Sequence, residues 1–209
     1  MKNPLYAAML LSAIPSMFLS GLALAQKQDN EALAATIRNC DSCHAADSTI
    51  QSGAPVLNGL PRSYLTEQLQ NFRADLRGAA AVDQYSRQMV SEAKALPEEQ
   101  LSLIARHYAR QKKQVATATV AGDVKAGEPL FEEHCAGCHT STAGRMFTKS
   151  PPITHLEGPY ILAQLKAFAA SQRHFAEENE NKLKMIEVAS RFNAQQLADI
   201  TAYIKTRDR

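Results

Sequence analysis

The four cysteines of this chain fall in two like patterns, Cys40-Asp41-Ser42-Cys43-His44 and Cys135-Ala136-Gly137-Cys138-His139. Two thiols three positions apart lie on nearly the same face of one helical turn. From there both can form thioethers with the two vinyl groups of one porphyrin. The histidine that follows then lies beneath the iron and can bind it through an imidazole nitrogen. C-x-x-C-H is the attachment signal for a c-type haem. A zinc site built from four thiolates would leave both adjacent histidines unexplained. A thioredoxin-like dithiol would call for a βαβ context that the chain does not show. The residues therefore point to two covalent haem c groups. Cys40 and Cys43 hold one, Cys135 and Cys138 the other, with His44 and His139 as axial ligands to iron.

The chain around these motifs is an internal duplication. The cysteine motifs are offset by 95 positions, and downstream the offset becomes 96 and holds. Pro55 then matches Pro151, Leu57 matches Ile153, and Leu60 matches Leu156. Tyr64-Leu65, Gln68-Leu69, Phe72 and Arg77 match Tyr160-Ile161, Gln164-Leu165, Phe168 and Arg173. Met89 matches Met185, with Ala93 and Ala189 four residues later in each copy. A second axial group must come from the opposite face of each haem. Met89 stands 45 positions after His44 and Met185 46 after His139, enough chain to wrap a porphyrin, whereas Met146 is seven past His139 and too near. A lone methionine reads as core filler. Two at matched positions read as ligands, so Met89 and Met185 complete the two sets. His107, His134, His155 and His174 are rivals without a repeated partner, and are expected at the surface or at caps.

The elements that position these residues read as helices. Leu101, Ile104, Ala105 and Tyr108 follow the i, i+3, i+4, i+7 rule after Pro97, and Leu197, Ile200 and Ile204 repeat most of that stripe. The segments from Tyr64 to Arg77 and from Tyr160 to Arg173 are each expected to form one helix with Leu and Phe inward. No segment shows strand alternation. The expected fold is all-α, with residues 26–113 as a first domain, 114–122 as a linker and 123–209 as a second domain. Each is wrapped around its own haem, whose apolar surface enlarges a core of about ninety residues.

Lys2, the mostly apolar run Leu5 to Leu24 and the small residues of Ala23-Leu24-Ala25 read as a signal peptide, residues 1–25, cleaved after Ala25. The expected location is the periplasm. The 23 basic residues nearly balance the 21 acidic ones, without a basic excess in either half. Nucleic acid is therefore not an expected partner, and membrane contact is expected only through partner complexes.

Taken together, the chain resembles the dihaem cytochromes c of the cytochrome c4 type, two class I cytochrome c domains in tandem. The residues that carry the resemblance are the two C-x-x-C-H motifs, the Pro-x-Leu/Ile segments, the Tyr-x3-Gln-Leu-x2-Phe-x4-Arg stretches and the Met-x3-Ala segments. Gly127-x2-Leu130-Phe131 ahead of Cys135 also suits the first helix of such a domain. The first half lacks that pattern, and neither motif is followed by the Gly-x-x-Gly-x-Gly loop usual in the family. The resemblance implies that Pro55 and Pro151 offer carbonyls to the Nδ1 protons of the haem-binding histidines, with Pro152 a rival to Pro151. Arg77 and Arg173 are expected either at haem propionates or exposed at helix ends.

A haem with imidazole and thioether on its two faces has no vacant position for a substrate and exchanges electrons only. The expected function is a soluble electron carrier rather than an enzyme, moving one electron per haem. The donor would be a quinol-oxidising complex or a dehydrogenase, and the acceptor a terminal oxidase or reductase. The alternatives are a dihaem redox enzyme, such as a peroxidase or sulfur-compound dehydrogenase, and an electron-transfer subunit bound to a dehydrogenase.

Overall fold

The computed structural model describes residues 15–45, 47–79, 84–175 and 180–207. Of the expected signal peptide, residues 1–14 lie outside the described residues. Helix α1 runs Pro15–His44. The chain divides into a unit ending at Arg38 and a second unit, Asn39–Arg209. Among the described residues no helix is long and apolar enough to cross a membrane.

The second unit is all-α. Its first half contains α2 (Thr49–Ser52), α3 (Arg62–Arg73), α4 (Gln84–Ala95) and α5 (Glu98–Arg110). Its second half contains α6 (Val124–His134), α7 (Ala136–His139), α8 (Thr142–Thr148), α9 (Gly158–Ala169), α10 (Glu180–Ser190) and α11 (Ala194–Ile204). In the first half α3 packs against α4 and α5. In the second, α11 packs against α6 and α9, and α9 against α10.

Local chemistry explains these elements. Helix α5 begins after Pro97, carries Glu98 and Glu99 in its first turn, and buries Leu101, Ile104, Ala105 and Tyr108. That is the stripe its spacing predicts, with acids favoured at the positive end of the helix dipole. Helix α11 begins with a capping box between Asn193 and Gln196 and buries Leu197, Ile200 and Ile204. Asp123 caps α6 by accepting from the Lys125 and Ala126 N–H groups. Helices α6 and α11 meet at Gly127, where an added Cβ would stand 2.0 Å from the Asp199 carbonyl oxygen. Only glycine permits so close an approach.

Two expectations are corrected by how α3 and α9 end. They stop at Arg73 and Ala169 rather than continuing to Arg77 and Arg173. Asp75 and Ser171, at matched positions, adopt left-handed backbone with φ of 57° and 51°. Each turns the chain back so that later amides bond to the helix end, Leu76 N–H to Asn71 O at 2.9 Å and Gln172 N–H to Ala167 O at 2.8 Å. Arg77 and Arg173 then face each other in an isolated antiparallel bridge. Neither is an exposed helix-end side chain, since their exposures are 6% and 5%.

The segment 114–122 is docked on the second half. Ala116 N–H donates to His155 O at 2.8 Å and Gly158 N–H to Ala118 O at 2.9 Å. The buried Lys205 ammonium donates to the carbonyls of Ala116, Thr154 and Leu156 at 2.9, 3.0 and 2.6 Å, tying this segment to the 154–156 loop and the end of α11.

Candidate haem-binding centres

Cys40, Cys43 and His44 occupy the last turns of α1, while Cys135 closes α6 and Cys138 and His139 lie in α7. Burial first, then the nearby Asp41 and Glu92 charges, push the Cys40 thiol up to about 11. Burial, with Cys138 and Glu132, pushes Cys135 up to about 12. Such surroundings favour neutral sulfur, as in a thioether, over the thiolate a zinc site needs. Among the described residues no group of three or more His, Cys, Asp or Glu side chains is placed to hold a metal ion, so the two cysteine pairs do not converge on one site.

Both histidines are buried and oriented. His44 Nδ1 lies 2.7 Å from the Pro55 carbonyl oxygen, and His139 Nδ1 lies 2.9 Å from that of Pro151. A carbonyl only accepts, so Nδ1 carries the proton and Nε2 is left to bind iron. Pro151, not Pro152, holds the second imidazole. Burial holds both imidazoles below the ordinary histidine value, with the proline hydrogen bond opposing it, so both rings are in the neutral, metal-binding form. Ser52 Oγ donates to Cys43 O at 2.7 Å, and Tyr108 OH donates to Asp41 Oδ1 at 2.7 Å, bracing the first motif. Arg145 Nη1 donates to Thr140 O at 2.5 Å beside the second.

Met89 lies half-buried on α4. Met185 lies half-buried on α10 against the cluster of Phe168, Phe175 and Ala189. Met146 on α8 is 69% exposed and Phe147 77%. His155 departs from the expectation of a surface histidine, being wholly buried in the loop that the 114–122 segment covers. His134 packs edge-on against Phe192, and His174 is exposed.

A third feature went unrecognised as a unit in the sequence, although its residues are all repeat-matched. Gln68 Oε1 accepts from Arg77 Nη1 at 2.9 Å and from Arg173 Nη2 at 2.8 Å. Gln164 Oε1 accepts from Arg173 Nη1 at 3.0 Å and from Arg77 Nη2 at 2.9 Å. Tyr160 OH accepts from Arg77 Nη2 at 2.8 Å, and Tyr64 OH from Arg173 Nη2 at 3.2 Å. The guanidiniums stack 4.4 Å from the ring centres of Phe72 and Phe168 in their own halves. The Tyr-Gln-Phe-Arg matches thus join one half to the other. Burial, together with Arg77, pulls Arg173 below its ordinary value, and its Nε is buried without an acceptor. Arg173 donates here to amide and phenol oxygens, and its remaining Nε–H is a donor of the kind that suits a haem propionate.

Residues 124–208 match the cytochrome c family. The thiosulfate dehydrogenase electron acceptor of Thiomonas intermedia (strain K12) is 28% identical over 151 residues, 65% of this chain and 64% of that protein, so the match spans less than two thirds of the relative. The thiosulfate dehydrogenase TsdBA of Marichromatium purpuratum superposes with a TM-score of 0.63 at 26% identity, over 80% of this chain but 36% of its own. Reduced recombinant cytochrome c4 from Pseudomonas stutzeri superposes with a TM-score of 0.63 at 24% identity, over 84% of this chain and 96% of that one. Cytochrome c4 of Acidithiobacillus ferrooxidans gives 0.57 at 24%, over 73% and 88%.

Residues 124–208 thus carry the cytochrome c pattern, and each of the two C-x-x-C-H motifs is an attachment point for covalent haem c. The helical fold superposes on that of the cytochromes c4, and the chain has two such attachment points, Cys40/Cys43 and Cys135/Cys138.

Proposed function

We propose that this chain is an exported, periplasmic electron carrier with two six-coordinate haems, its leader removed after Ala25. The axial pairs are His44 with Met89 and His139 with Met185, within domains 26–113 and 123–209 joined by the docked segment 114–122. Haem c supplies one-electron exchange at each iron. The protein's part is to attach the group through the cysteines, aim Nε2 through the proline carbonyls and exclude water with the buried faces of α3, α5, α9 and α11. The doubled ligand set carries this reading: in each half, a histidine held by a proline carbonyl and a methionine at the matched position.

The relative named as an electron acceptor of thiosulfate dehydrogenase supports a dehydrogenase acting on a reduced sulfur compound as the donor. A terminal oxidase or reductase then takes the electrons. A second reading, a subunit bound permanently to such a dehydrogenase, is favoured by the likeness to part of the longer Marichromatium purpuratum chain. Purification from the native periplasm separates the two, since a bound subunit comes with its enzyme.

The carrier reading is tested with carbon monoxide. Denatured protein retains two haems per chain, and the reduced native form takes up no carbon monoxide at neutral pH. Met89→Ala and Met185→Ala each gain one carbon monoxide-binding iron. Rapid binding of carbon monoxide or peroxide by the unmodified protein overturns the carrier reading for that half and puts a dihaem enzyme in its place.

A further inference from the structure

The two halves share one design at the histidine, and they break it one bond further out. Pro55 and Val56 share a peptide group. Its C=O accepts from His44 Nδ1 at 2.7 Å, and its N–H donates to Glu157 Oε2 at 3.2 Å. A carboxylate of the second half is thereby linked through a single peptide to the imidazole of the first. Val56 is fully buried and Glu157 is 3% exposed, and the other carboxylate oxygen, Oε1, is buried without a hydrogen-bond partner. Glu157 stands at the N-terminus of α9, where the helix dipole favours an anion. The Lys205 ammonium is bonded to the carbonyl of Leu156, the residue just before it.

The second half has no counterpart to this chain of bonds. At the offset of 96, Val56 corresponds to Pro152 and Glu157 to Pro61. The Pro151–Pro152 peptide accepts from His139 Nδ1 through its carbonyl, but a proline nitrogen has no hydrogen to donate. Proline therefore stands opposite both the donor and the acceptor at the symmetry-matched positions. One histidine is connected to a buried charge and the other is not.

We infer that Glu157 is a positioning residue that sets the two haems at different potentials, acting through the Pro55–Val56 peptide; this rests on the carrier reading above. A carboxylate on the N–H side polarises the peptide and makes its carbonyl a stronger acceptor, as hydrogen bonds in series do at low dielectric. His44 then gains basicity at Nε2, and a more basic imidazole favours ferric iron. The first haem becomes the weaker oxidant. With haem c attached in both halves, one electron would move from the first iron to the second, oxidising one and reducing the other, which would make the second half the exit.

The test is spectroelectrochemical titration of the full chain with both haems attached. Met89→His lowers the first wave and so identifies it. Glu157→Gln keeps an acceptor for the Val56 N–H and removes the charge. It raises the first midpoint and leaves the second nearly in place, so the electron-sharing equilibrium between the haems falls about tenfold, equal to about 59 mV for a one-electron couple. Val56→Pro copies the second half and gives the same shift, with no further change on adding Glu157→Gln. If Glu157→Gln keeps two haems and low-spin spectra yet moves neither wave, or both equally, the relay is refuted. A missing haem or a carbon monoxide-reactive wild type would instead strike the carrier reading.

Discussion

Substituting Gln68 by methionine tests whether the repeat-matched side chains hold the halves together. The change preserves length and bulk and removes only the amide. Gln68 Oε1 takes two hydrogen bonds, one from each guanidinium, and Gln68, Arg77 and Arg173 are 6%, 6% and 5% exposed. Solvent therefore cannot replace the lost acceptor. A bond to a charged group contributes about 1.5–3 kcal/mol, so the pair should cost about 3–6 kcal/mol. With a denaturant slope of about 2 kcal/mol/M in urea, the unfolding midpoint should fall by about 1.5–3 M. Unfolding is followed by far-ultraviolet dichroism and by the Soret band. Gln164→Met should behave alike, since Gln164 also serves both arginines. The double variant should depart from additivity by about 1 kcal/mol or more, because each glutamine is the other's fallback acceptor. A midpoint shift below about 0.5 M in urea, or simple addition of the two costs, would refute the reasoning.

Two further outcomes are expected. Gly127→Ala should cost about 1–3 kcal/mol, since the new Cβ meets backbone at 2.0 Å where α6 crosses α11. Thermal melting should then show the second haem's environment lost before the first. Acidification should destabilise the protein. His44 and His139 have values lowered in the folded state, so above the unfolded value of about 6.5 their contribution is fully present. Below it the unfolded chain takes up protons that the folded chain refuses, and stability declines as pH falls. Denaturation midpoints at pH 7.5 and pH 5 read this directly, and a higher midpoint at pH 5 would contradict it.

The haem chemistry and the helices were readable because both rest on spacing. C-x-x-C-H fixes the attachment chemistry, and the stripe on α5 appears in the structure at the residues its period names. The helix ends were not readable. Asp75 and Ser171 take left-handed backbone without glycine or proline to announce it, so the pattern ran on to Arg77 and Arg173. Self-comparison finds Tyr64, Gln68 and Arg77 alike with Tyr160, Gln164 and Arg173. It does not reveal that each set serves the other, because a shared residue looks the same whether it repeats a task or meets its copy. His155 was misjudged for a related reason: the segment that buries it lies outside the repeat. Glu157 and Val56 were invisible to a search for matches, since what distinguishes them is the mismatch with Pro61 and Pro152.

The arginine–glutamine–tyrosine cluster obeys the rule of an isologous contact. Arg77 bonds to Gln164 and Tyr160, and Arg173 bonds to Gln68 and Tyr64. That reciprocity is the geometry of a two-fold homodimer, in which one patch is complementary to itself. Each half thus carries a complete patch for recognising a copy of its own kind. Covalent connection makes the meeting intramolecular, at an effective concentration in the millimolar range for a short tether. Fusion also relieves the two patches of the need to stay identical. A substitution such as Glu157 can then act on one centre alone, which no true homodimer allows.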